Sequence, residues 1–359
     1  MRLPFYVRAS ILLIGIYVVL EMLYIGQEII VPIIYSTLFA VLLSPIVGFF
    51  TKRKINRVLS IIVTLLLAFS LVSALGIFLS SQGTRFGTAL PLLIDKFYSL
   101  INEEIAGIST RFNISTESIN EYLSKTKAEV LSHLSQVIGD TLSTLGSTLV
   151  VMLLIPIYIF MILLYQPLLL EFIYRLSGKE NSLKVNEMLT STKSLIQSYL
   201  TGLLMEAAIV AVLYSSGLYI IGIEYAILLG IVGALLNIIP YLGGLIAVTL
   251  YIIVAFTTKD SSTYVFGVII LFVVVHLFDN SYIIPKVVAS KVKINALVAI
   301  TAVLAGGAFW GVAGMFISIP LVGIVKLIFD RIEGLNSWGY LLGDAMPLRK
   351  IERKKNDKV

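Results

Sequence analysis

An uncharged stretch in the second half of the chain, residues 225–256, decides the fold: YAILLGIVGALLNIIPYLGGLIAVTLYIIVAF. As one α-helix it would be about 48 Å long, whereas the hydrocarbon core of a bilayer is about 30 Å thick. Its middle, Asn237 to Gly244, contains Pro240 and the pair Gly243 and Gly244, residue types that interrupt helices. The stretch therefore predicts two shorter apolar helices joined by a break, as in a hairpin that returns to its starting side.

A second uncharged stretch, Asn295 to Val325, follows the same pattern. Its helix-interrupting residues lie near the middle, with Pro320 beyond them: Gly306, Gly307, Trp310, Gly311 and Gly314. Both stretches fit re-entrant hairpins or broken helices, and also single tilted crossings, because tilt absorbs excess length. The basic residues favour hairpins, since single crossings would put the loop with Lys286, Lys291 and Lys293 outside, against the positive-inside tendency.

The composition of the whole chain indicates a protein that lies in a membrane. Of its 359 residues, 58% are hydrophobic and 13% are charged, against roughly a quarter charged in soluble domains. Other apolar runs are long enough for full crossings: Tyr6 to Tyr24, Ile29 to Phe50, Val58 to Leu79, Ser147 to Tyr165, Ser198 to Ile221 and Tyr264 to Ile284. We predict an all-α polytopic membrane protein with about eight membrane segments, six full spans and two re-entrant or broken-helix hairpins in an inverted repeat.

The polar segments divide the chain into five predicted regions. Residues 1–79 hold three N-terminal spans, 80–146 an extracytoplasmic helical module, 147–197 the fourth span and a cytoplasmic interfacial helix, 198–331 the inverted-repeat transport core, and 332–359 a basic cytoplasmic tail. With the hairpins returning to their own sides, most Lys and Arg residues face the cytoplasm, as do both termini. The basic tail is expected to contact anionic lipid headgroups.

Ionisable side chains within apolar spans are costly, and they point to a substrate or ion pathway. The candidates are Glu206 in the fifth span, and His276 and Asp279 with the neighbouring Asn280 in the span that begins at Tyr264. The spacing of His276 and Asp279 puts them on one helical face, where a carboxylate and an imidazole could relay a proton. The alternative is that Asp279 and Asn280 lie near the cytoplasmic end and only contact headgroups or cap the chain.

The breaks in the two hairpins form the second group of candidates. Opened backbone carbonyls bind cations, and the N-termini of half-helices favour anions. The alternative is that the glycines only allow close helix packing. The residues expected to line such a site are Asn237, Pro240, Tyr241, Gly243 and Gly244 in the first hairpin, and Gly307, Gly311 and Gly314 in the second.

Sequence patterns of other functional classes are absent. The chain has no phosphate-binding loop with its Lys and Ser or Thr, no His-Glu-x-x-His pair and no Gly-x-Ser-x-Gly turn. It also has no cysteine, which excludes disulfides, thiolate metal sites and a cysteine nucleophile. We therefore expect no enzymatic activity, no cofactor and no metal, and we do not expect the net charge of +6 to serve nucleic-acid binding.

The C-terminal half resembles a known family. The matching residues are Ile238 to Gly243, then Asp279-Asn280 with Ile284-Pro285, then Gly306-Gly307, Gly311, Gly314-Met315 and Ile319-Pro320-Leu321. They resemble the autoinducer-2 exporter (AI-2E) family of bacterial membrane proteins, and the similarity extends over nearly the whole chain. Two positions differ from the family pattern: Gly244 stands where a proline often occurs, and Asn295-Ala296 stands where His-Pro is common.

The resemblance implies a multi-pass transporter of the bacterial inner membrane that forms homo-oligomers, with pentamers as the family example. Members are assigned either to export of autoinducer-2 or to exchange of sodium or lithium against protons. We therefore expect a secondary transporter or exporter of small solutes that works by alternating access, with H⁺ or Na⁺ as the coupling ion. Asp279 would be the coupling carboxylate and Glu206 a second one. The alternatives are a cation/proton antiporter and, from another class, a membrane scaffold protein.

Overall fold

The computed structural model describes residues 4–112, 125, 145–178, 181–239, 242–259, 261–289 and 294–344. The elements in chain order are α1 (Phe5–Ile25), α2 (Gln27–Lys52), α3 (Arg57–Phe112), α4 (Leu145–Ser177), α5 (Ser182–Ile221), α6 (Ala226–Asn237), α7 (Leu242–Thr258), α8 (Ser262–Phe278), a π-helix (Asp279–Ala289), α9 (Ala296–Phe329) and α10 (Asn336–Leu342). Within these ranges, seven helices are long and apolar enough to cross a membrane. The predicted all-α polytopic fold is confirmed.

The first uncharged stretch forms two antiparallel helices, α6 and α7, which we call the first hairpin. The Tyr251 hydroxyl on α7 donates a hydrogen bond to the Leu229 carbonyl on α6 at 3.1 Å. Nearer the tip, the backbone of Gly243 lies against the Leu236 carbonyl, so closely that a Cβ at Gly243 would clash with it. The two helices therefore lie side by side and do not cross the membrane as one long helix.

The second uncharged stretch, α9, is broken near its middle and forms the second hairpin. Trp310 and Gly311 have non-helical backbone angles, and the φ of +59° at Gly311 is one that residues with a Cβ rarely adopt. Across this turn Gly306 and Gly314 meet backbone to backbone, and a Cβ on either one would clash with the other. Both hairpins predicted from the sequence are present.

The second hairpin starts and ends on the same side of the molecule. The Asn295 side chain at its start donates to the carbonyls of Leu341 at 2.7 Å and Gly343 at 3.1 Å, which follow its end. The Asn295 carboxamide oxygen also accepts from the Val298 amide at 2.9 Å and caps the helix. Asn295 thus closes this end of the hairpin.

This end of the second hairpin lies on the side that carries the loop from Lys52 to Arg57, which we call the basic side. Arg57 donates to the Leu163 carbonyl of α4 at 2.7 Å, so the last turns of α4 lie beside the loop. The next helix, α5, starts a few residues later, and its Ser191 accepts from Arg331 just after α9 at 3.0 Å.

The first hairpin starts and ends on the opposite side. Its end is close to its start, because a Cβ at Gly222 would lie 3.8 Å from the Lys259 ammonium. The far part of α3 covers this end, with Phe86 packing edge-on against Tyr225 and Phe97 against Phe256. The two hairpins therefore enter the helix bundle from opposite sides.

Helix α5 separates the two hairpins and packs against both. Its first half, with Leu195, Tyr199 and Leu200, shares a buried cluster with Ile317 of the second hairpin. Its second half, with Val210, Tyr214 and Leu218, shares a cluster with Leu229 and Tyr251 of the first hairpin. This arrangement makes α5 the common support of both hairpins.

Two predicted regional boundaries do not coincide with helix ends. Helix α3 continues past Leu79 to Phe112, because no proline follows until Pro91 and the apolar face of the extension packs against the first hairpin. The predicted interfacial helix up to residue 197 is also not separate, since its second part belongs to α5, which runs unbroken from Ser182. Residues 113–124 and 126–144 of the predicted module, and the basic cluster of the tail, lie outside the described residues.

The close approach at the second hairpin predicts a stability difference between two glycines. Gly314→Ala should lower the free energy of unfolding by about 1–3 kcal/mol, because the added Cβ overpacks the Gly306 backbone. Gly48→Ala in α2 should cause no loss, because a Cβ there meets nothing within 4 Å. Thermal unfolding of the purified variants in detergent measures both, and equal stability of the two variants would contradict the hairpin contact.

The topology predicts the sidedness of three engineered cysteines in this cysteine-free chain. Arg53→Cys and Glu333→Cys should react with a membrane-impermeant maleimide from one face of the membrane, and Lys259→Cys from the other. Maleimide labelling of the cysteines in intact cells and in inverted vesicles measures from which face each one is accessible. If Lys259→Cys reacted from the same face as Arg53→Cys, the first hairpin would have to be a crossing, because α3, α4 and α5 are the three crossings between them.

A carboxylate and amide cluster at the tip of the first hairpin

Glu206 lies in the middle of α5 and is 6% exposed. It shares one face of α5 with other buried residues at helical spacing, Tyr199, Gly202 and Val210. On the lipid-facing side of α5, a glutamate could keep its charge out of the hydrocarbon only by reaching the headgroups. The headgroups lie far from the middle of the helix. The helical phase of α5 therefore points the Glu206 carboxyl into the protein, between the two hairpins.

Asp279 occupies the point where α8 changes from an α-helix into the π-helix Asp279–Ala289. Pro285 lies within this segment and has no backbone N–H to donate, which explains why the α-helical hydrogen bonding is not maintained there. Short π-helical segments occur frequently at functional sites of proteins. The Asp279 residue is 2% exposed, so it is buried in the protein and does not reach the surface.

Asn237 brings the two carboxylates together. It is the last residue of α6, at the tip of the first hairpin. Its side-chain nitrogen donates to Asp279 Oδ2 at 3.0 Å and makes a longer contact of 3.4 Å to Glu206 Oε1. The other oxygen of the aspartate, Asp279 Oδ1, is buried and has no hydrogen-bond partner among the residues that the structure describes. Three elements that are distant in sequence thus meet at one amide group.

The described part of the chain places no basic side chain against the two carboxylates of this cluster. Within the described residues, neither Glu206 nor Asp279 forms an ion pair with a basic side chain. Two carboxylates held around one neutral amide are unfavourable in a low-dielectric interior unless a cation or a proton joins them.

The cluster does not resemble a site for a tightly held divalent metal. In the part of the chain that the structure describes, no group of three or more His, Asp or Glu side chains lies close enough together to hold a metal ion. The cluster itself consists of two carboxylates and one amide, Glu206, Asp279 and Asn237.

Glycines of the first hairpin border the cluster. A Cβ at Gly244 would lie 3.9 Å from Asn237 Oδ1 and 3.6 Å from the Phe272 ring, which leaves little room for a larger residue beside the amide. Gly243 is the close-packing position described above. Pro240 and Tyr241, which we also predicted to line the site, lie outside the described residues.

His276 and Asn280 form a separate pair. The Asn280 amide nitrogen lies 2.9 Å from His276 Nε2, and the His276 ring stacks on Phe272 with 5.3 Å between ring centroids. Asp279 Oδ2 accepts from Asn237 and Oδ1 has no partner, so His276 is not hydrogen-bonded to Asp279. The proton relay between them stays a prediction, and the structure gives His276 a different polar partner.

The glycines of the second hairpin lie at positions of packing and turning. Gly307 lies beneath the Met315 side chain, Gly311 makes the turn, and Gly314 packs on Gly306. The tip of the second hairpin is held by hydrogen bonds to other helices and not by bonds to Glu206 or Asp279. Those bonds run from the Trp310 indole N–H to the Leu23 carbonyl at 3.2 Å and from the Tyr35 hydroxyl to the Ala313 carbonyl at 3.1 Å.

Tyr35 and Tyr199 are two residues near this site that the sequence analysis did not single out. Tyr199 is buried on the same face of α5 as Glu206, two turns before it. Tyr35 packs against the buried cluster that contains Tyr199, and its hydroxyl contacts the tip of the second hairpin. The spacing of seven residues between Tyr199 and Glu206 was the available signal, because such a spacing keeps both on one helical face.

Comparison with known proteins identifies the family. A sequence model of the AI-2E family transporters matches residues 10–334, which is nearly the whole chain. The chain belongs to the AI-2E transporter family. This AI-2E protein is accordingly a multi-pass membrane transporter, and the resemblance of its C-terminal half is confirmed.

Several relatives of this AI-2E protein carry provisional names as transport proteins. YueF of Bacillus subtilis is 27% identical over 324 residues, covering 85% of this chain and 84% of its own. A Haemophilus influenzae protein is 26% identical over 346 residues, covering 92% and 94%. YhhT of Escherichia coli K12 is 23% identical over 347 residues, covering 93% of each chain. The similarity therefore includes the N-terminal spans as well as the hairpins.

The central position of Asn237 predicts a difference between two asparagines. Asn237→Leu should lower the free energy of unfolding by about 1–3 kcal/mol, because two buried carboxylates lose their donor. Asn280→Leu, whose side chain is exposed and hydrogen-bonds to His276 alone within the described residues, should change it by less than about 0.5 kcal/mol. Thermal unfolding in detergent compares them, and an Asn237→Leu protein as stable as Asn280→Leu would show that the amide does not hold the cluster.

Proposed function

We propose that this AI-2E protein is a secondary transporter of small solutes, in which Glu206, Asn237 and Asp279 bind the coupling cation. The observation that carries the proposal is the Asn237 amide, which lies between two buried carboxylates that have no basic partner among the described residues. A proton or Na⁺ arriving at this cluster would offset the repulsion between the carboxylates and give Asp279 Oδ1 a partner.

Binding of the cation would also hold the first hairpin in place. Asn237 belongs to the hairpin, whereas Glu206 and Asp279 belong to two full spans, α5 and α8 with its π-helix. An occupied cluster joins all three elements, while an empty one leaves two like charges that push the elements apart. Cation binding therefore has a different free energy in the closed and the open arrangement, which is the requirement for coupling it to alternating access.

The solute would bind along the face of α5 that lies between the hairpins. This face presents Tyr199 toward the second hairpin and Glu206 toward the first. Export of an autoinducer-2-like signal is the substrate hypothesis that the family resemblance suggests. We propose that the basic side faces the cytoplasm, with both termini there, in a bacterial inner membrane. A homo-oligomer, a pentamer by the same resemblance, completes the proposal.

A second candidate, cation/proton antiport, rests on the same cluster. Two carboxylates and an amide can accept either Na⁺ or a proton but not both in the same oxygen cage, and such competition is sufficient for exchange. In that case the cation would be the cargo, and no organic solute would be needed. The two candidates share the role of Asp279 and differ in what crosses the membrane with the ion.

The proposal predicts that neutralising either carboxylate uncouples transport. Asp279→Asn and Glu206→Gln should each lower cation affinity on the order of ten- to a hundredfold, because one charge-assisted partner of the ion is lost. Asp330→Asn is the matched control, since Asp330 pairs with Lys326 on the basic side, remote from the cluster in the chain. The measurement is proton flux in proteoliposomes, driven by a gradient of Na⁺ or of a candidate solute.

The outcomes separate the candidates. Flux driven by Na⁺ alone and lost in Asp279→Asn would support antiport, whereas flux that needs an organic solute would support solute transport. Folding of each variant is checked by its elution as a single species in detergent. Wild-type flux in a well-folded Asp279→Asn protein would remove the cluster from the mechanism.

A further inference from the structure

A cavity of about 350 Å³ lies between α2, α4 and α5, on the basic side of the molecule and away from the carboxylate cluster. Its size is within the range of small-molecule sites in proteins. The lining residues are Thr37, Ala40, Val41, Ser44, Ile162, Leu163, Gln166, Leu169, Leu170, Tyr174, Asn186, Leu189, Thr190, Thr192, Lys193 and Ile196. This set combines aliphatic, hydroxyl and amide side chains, and none of its members is acidic.

The polar and apolar parts of the lining are at different depths. The helix ends on the basic side are Lys52 of α2, Ser177 of α4 and Ser182 of α5. Tyr174 and Asn186 lie near these ends, and the Tyr174 hydroxyl donates to Asn186 Oδ1 at 2.8 Å. The aliphatic residues Ala40, Val41, Ile162, Leu163 and Ile196 lie several turns further from them. The lining therefore has a hydrogen-bonded polar pair close to the helix ends and is mostly aliphatic further from them.

Two cations beside this cavity have no acidic partner among the described residues. Lys193 lines the cavity and is the one charged side chain in the lining. Arg57 lies behind the wall, where it donates to the Leu163 carbonyl at 2.7 Å and to Gln166 Oε1 at 3.2 Å. Its Nε is buried without a hydrogen-bond partner. The local field in the cavity is consequently positive, which favours an anionic ligand.

We propose that this cavity binds one anionic phospholipid. The phosphate would lie near Lys193, one turn along α5 from Ile196, and one acyl chain would lie against the aliphatic residues of the lining. An anionic headgroup supplies the negative charge that the protein does not provide, and an acyl chain covers the apolar surface that a small polar solute would leave exposed. The site is independent of the proposed transport mechanism, and it differs from the basic tail, whose cluster starts at Arg349.

Such a lipid would connect the N-terminal spans to the helix that supports both hairpins. The cavity walls come from α2 and α4 on one side and α5 on the other. The occupied site would therefore stabilise the position of α5 relative to the rest of the bundle, since a ligand that binds only the folded arrangement adds to its stability.

The test is lipid retention by the delipidated full-length protein, measured by native mass spectrometry after incubation with phosphatidylglycerol or phosphatidylcholine. Wild type should retain phosphatidylglycerol preferentially, and Lys193→Gln should retain about fivefold less, the effect of roughly 1 kcal/mol per basic residue near a headgroup. The matched control is Lys184→Gln on the same helix, whose ammonium pairs with Glu333 at 3.6 Å outside the cavity. It should retain as much as wild type.

Two further experiments test whether the acyl chain of the lipid contributes to binding. Thr37→Phe, at an exposed position that also lines the deep part of the cavity, should lower the retention of phosphatidylglycerol with the fold unchanged. Glycerol phosphate, which has the headgroup charge but no chain, should not compete with the lipid. Equal retention by Lys193→Gln and wild type, an equal loss in Lys184→Gln, or full competition by glycerol phosphate would each overturn the proposal of a lipid site.

Discussion

Inside a membrane there is no water to satisfy a buried polar group, so each carboxylate, amide and opened backbone group must find its partner within the protein. In this transporter the Asn237 amide serves two carboxylates at once, at 3.0 Å from Asp279 and 3.4 Å from Glu206. Because Asn237 is the last residue of α6, the same contacts that satisfy the carboxylates also hold the tip of the first hairpin against two full spans. The position of the tip and the proposed binding of a cation therefore depend on the same three side chains.

The hairpins exist because glycine lets backbones approach where a side chain would keep them apart. Gly243 lies against the Leu236 carbonyl in one hairpin, and Gly306 lies against Gly314 in the other. The first hairpin packs against the C-terminal half of α5, and the second hairpin packs against its N-terminal half. Helix α5 carries Lys193 at the proposed lipid site, Tyr199 near the second hairpin and Glu206 at the carboxylate cluster. A displacement of α5 would therefore move all three residues.

Much of this architecture was predictable because it depends on local composition. The breaks from Asn237 to Gly244 and from Gly306 to Gly314 indicated the hairpins, and the structure has both. That α3 continues past Leu79 and α5 runs through Gln197 was not predictable, because the polarity of the chain changes there without any residue that stops a helix. Polarity reports which solvent a helix meets, whereas proline, glycine and tertiary contacts determine where it ends.

The sequence by itself determined the membrane spans, the two interrupted stretches and the identity of the few ionisable residues within apolar segments, because each of these is a property of consecutive residues. Only the tertiary structure decided which of those residues meet. Asn237 is 31 positions from Glu206 and 42 from Asp279, and their contact depends on how deep the hairpin reaches and on the phase of two other helices. For the same reason His276 forms its hydrogen bond with Asn280 and not with Asp279. Two side chains must point at one another to form a hydrogen bond, and sharing a helix face is not sufficient.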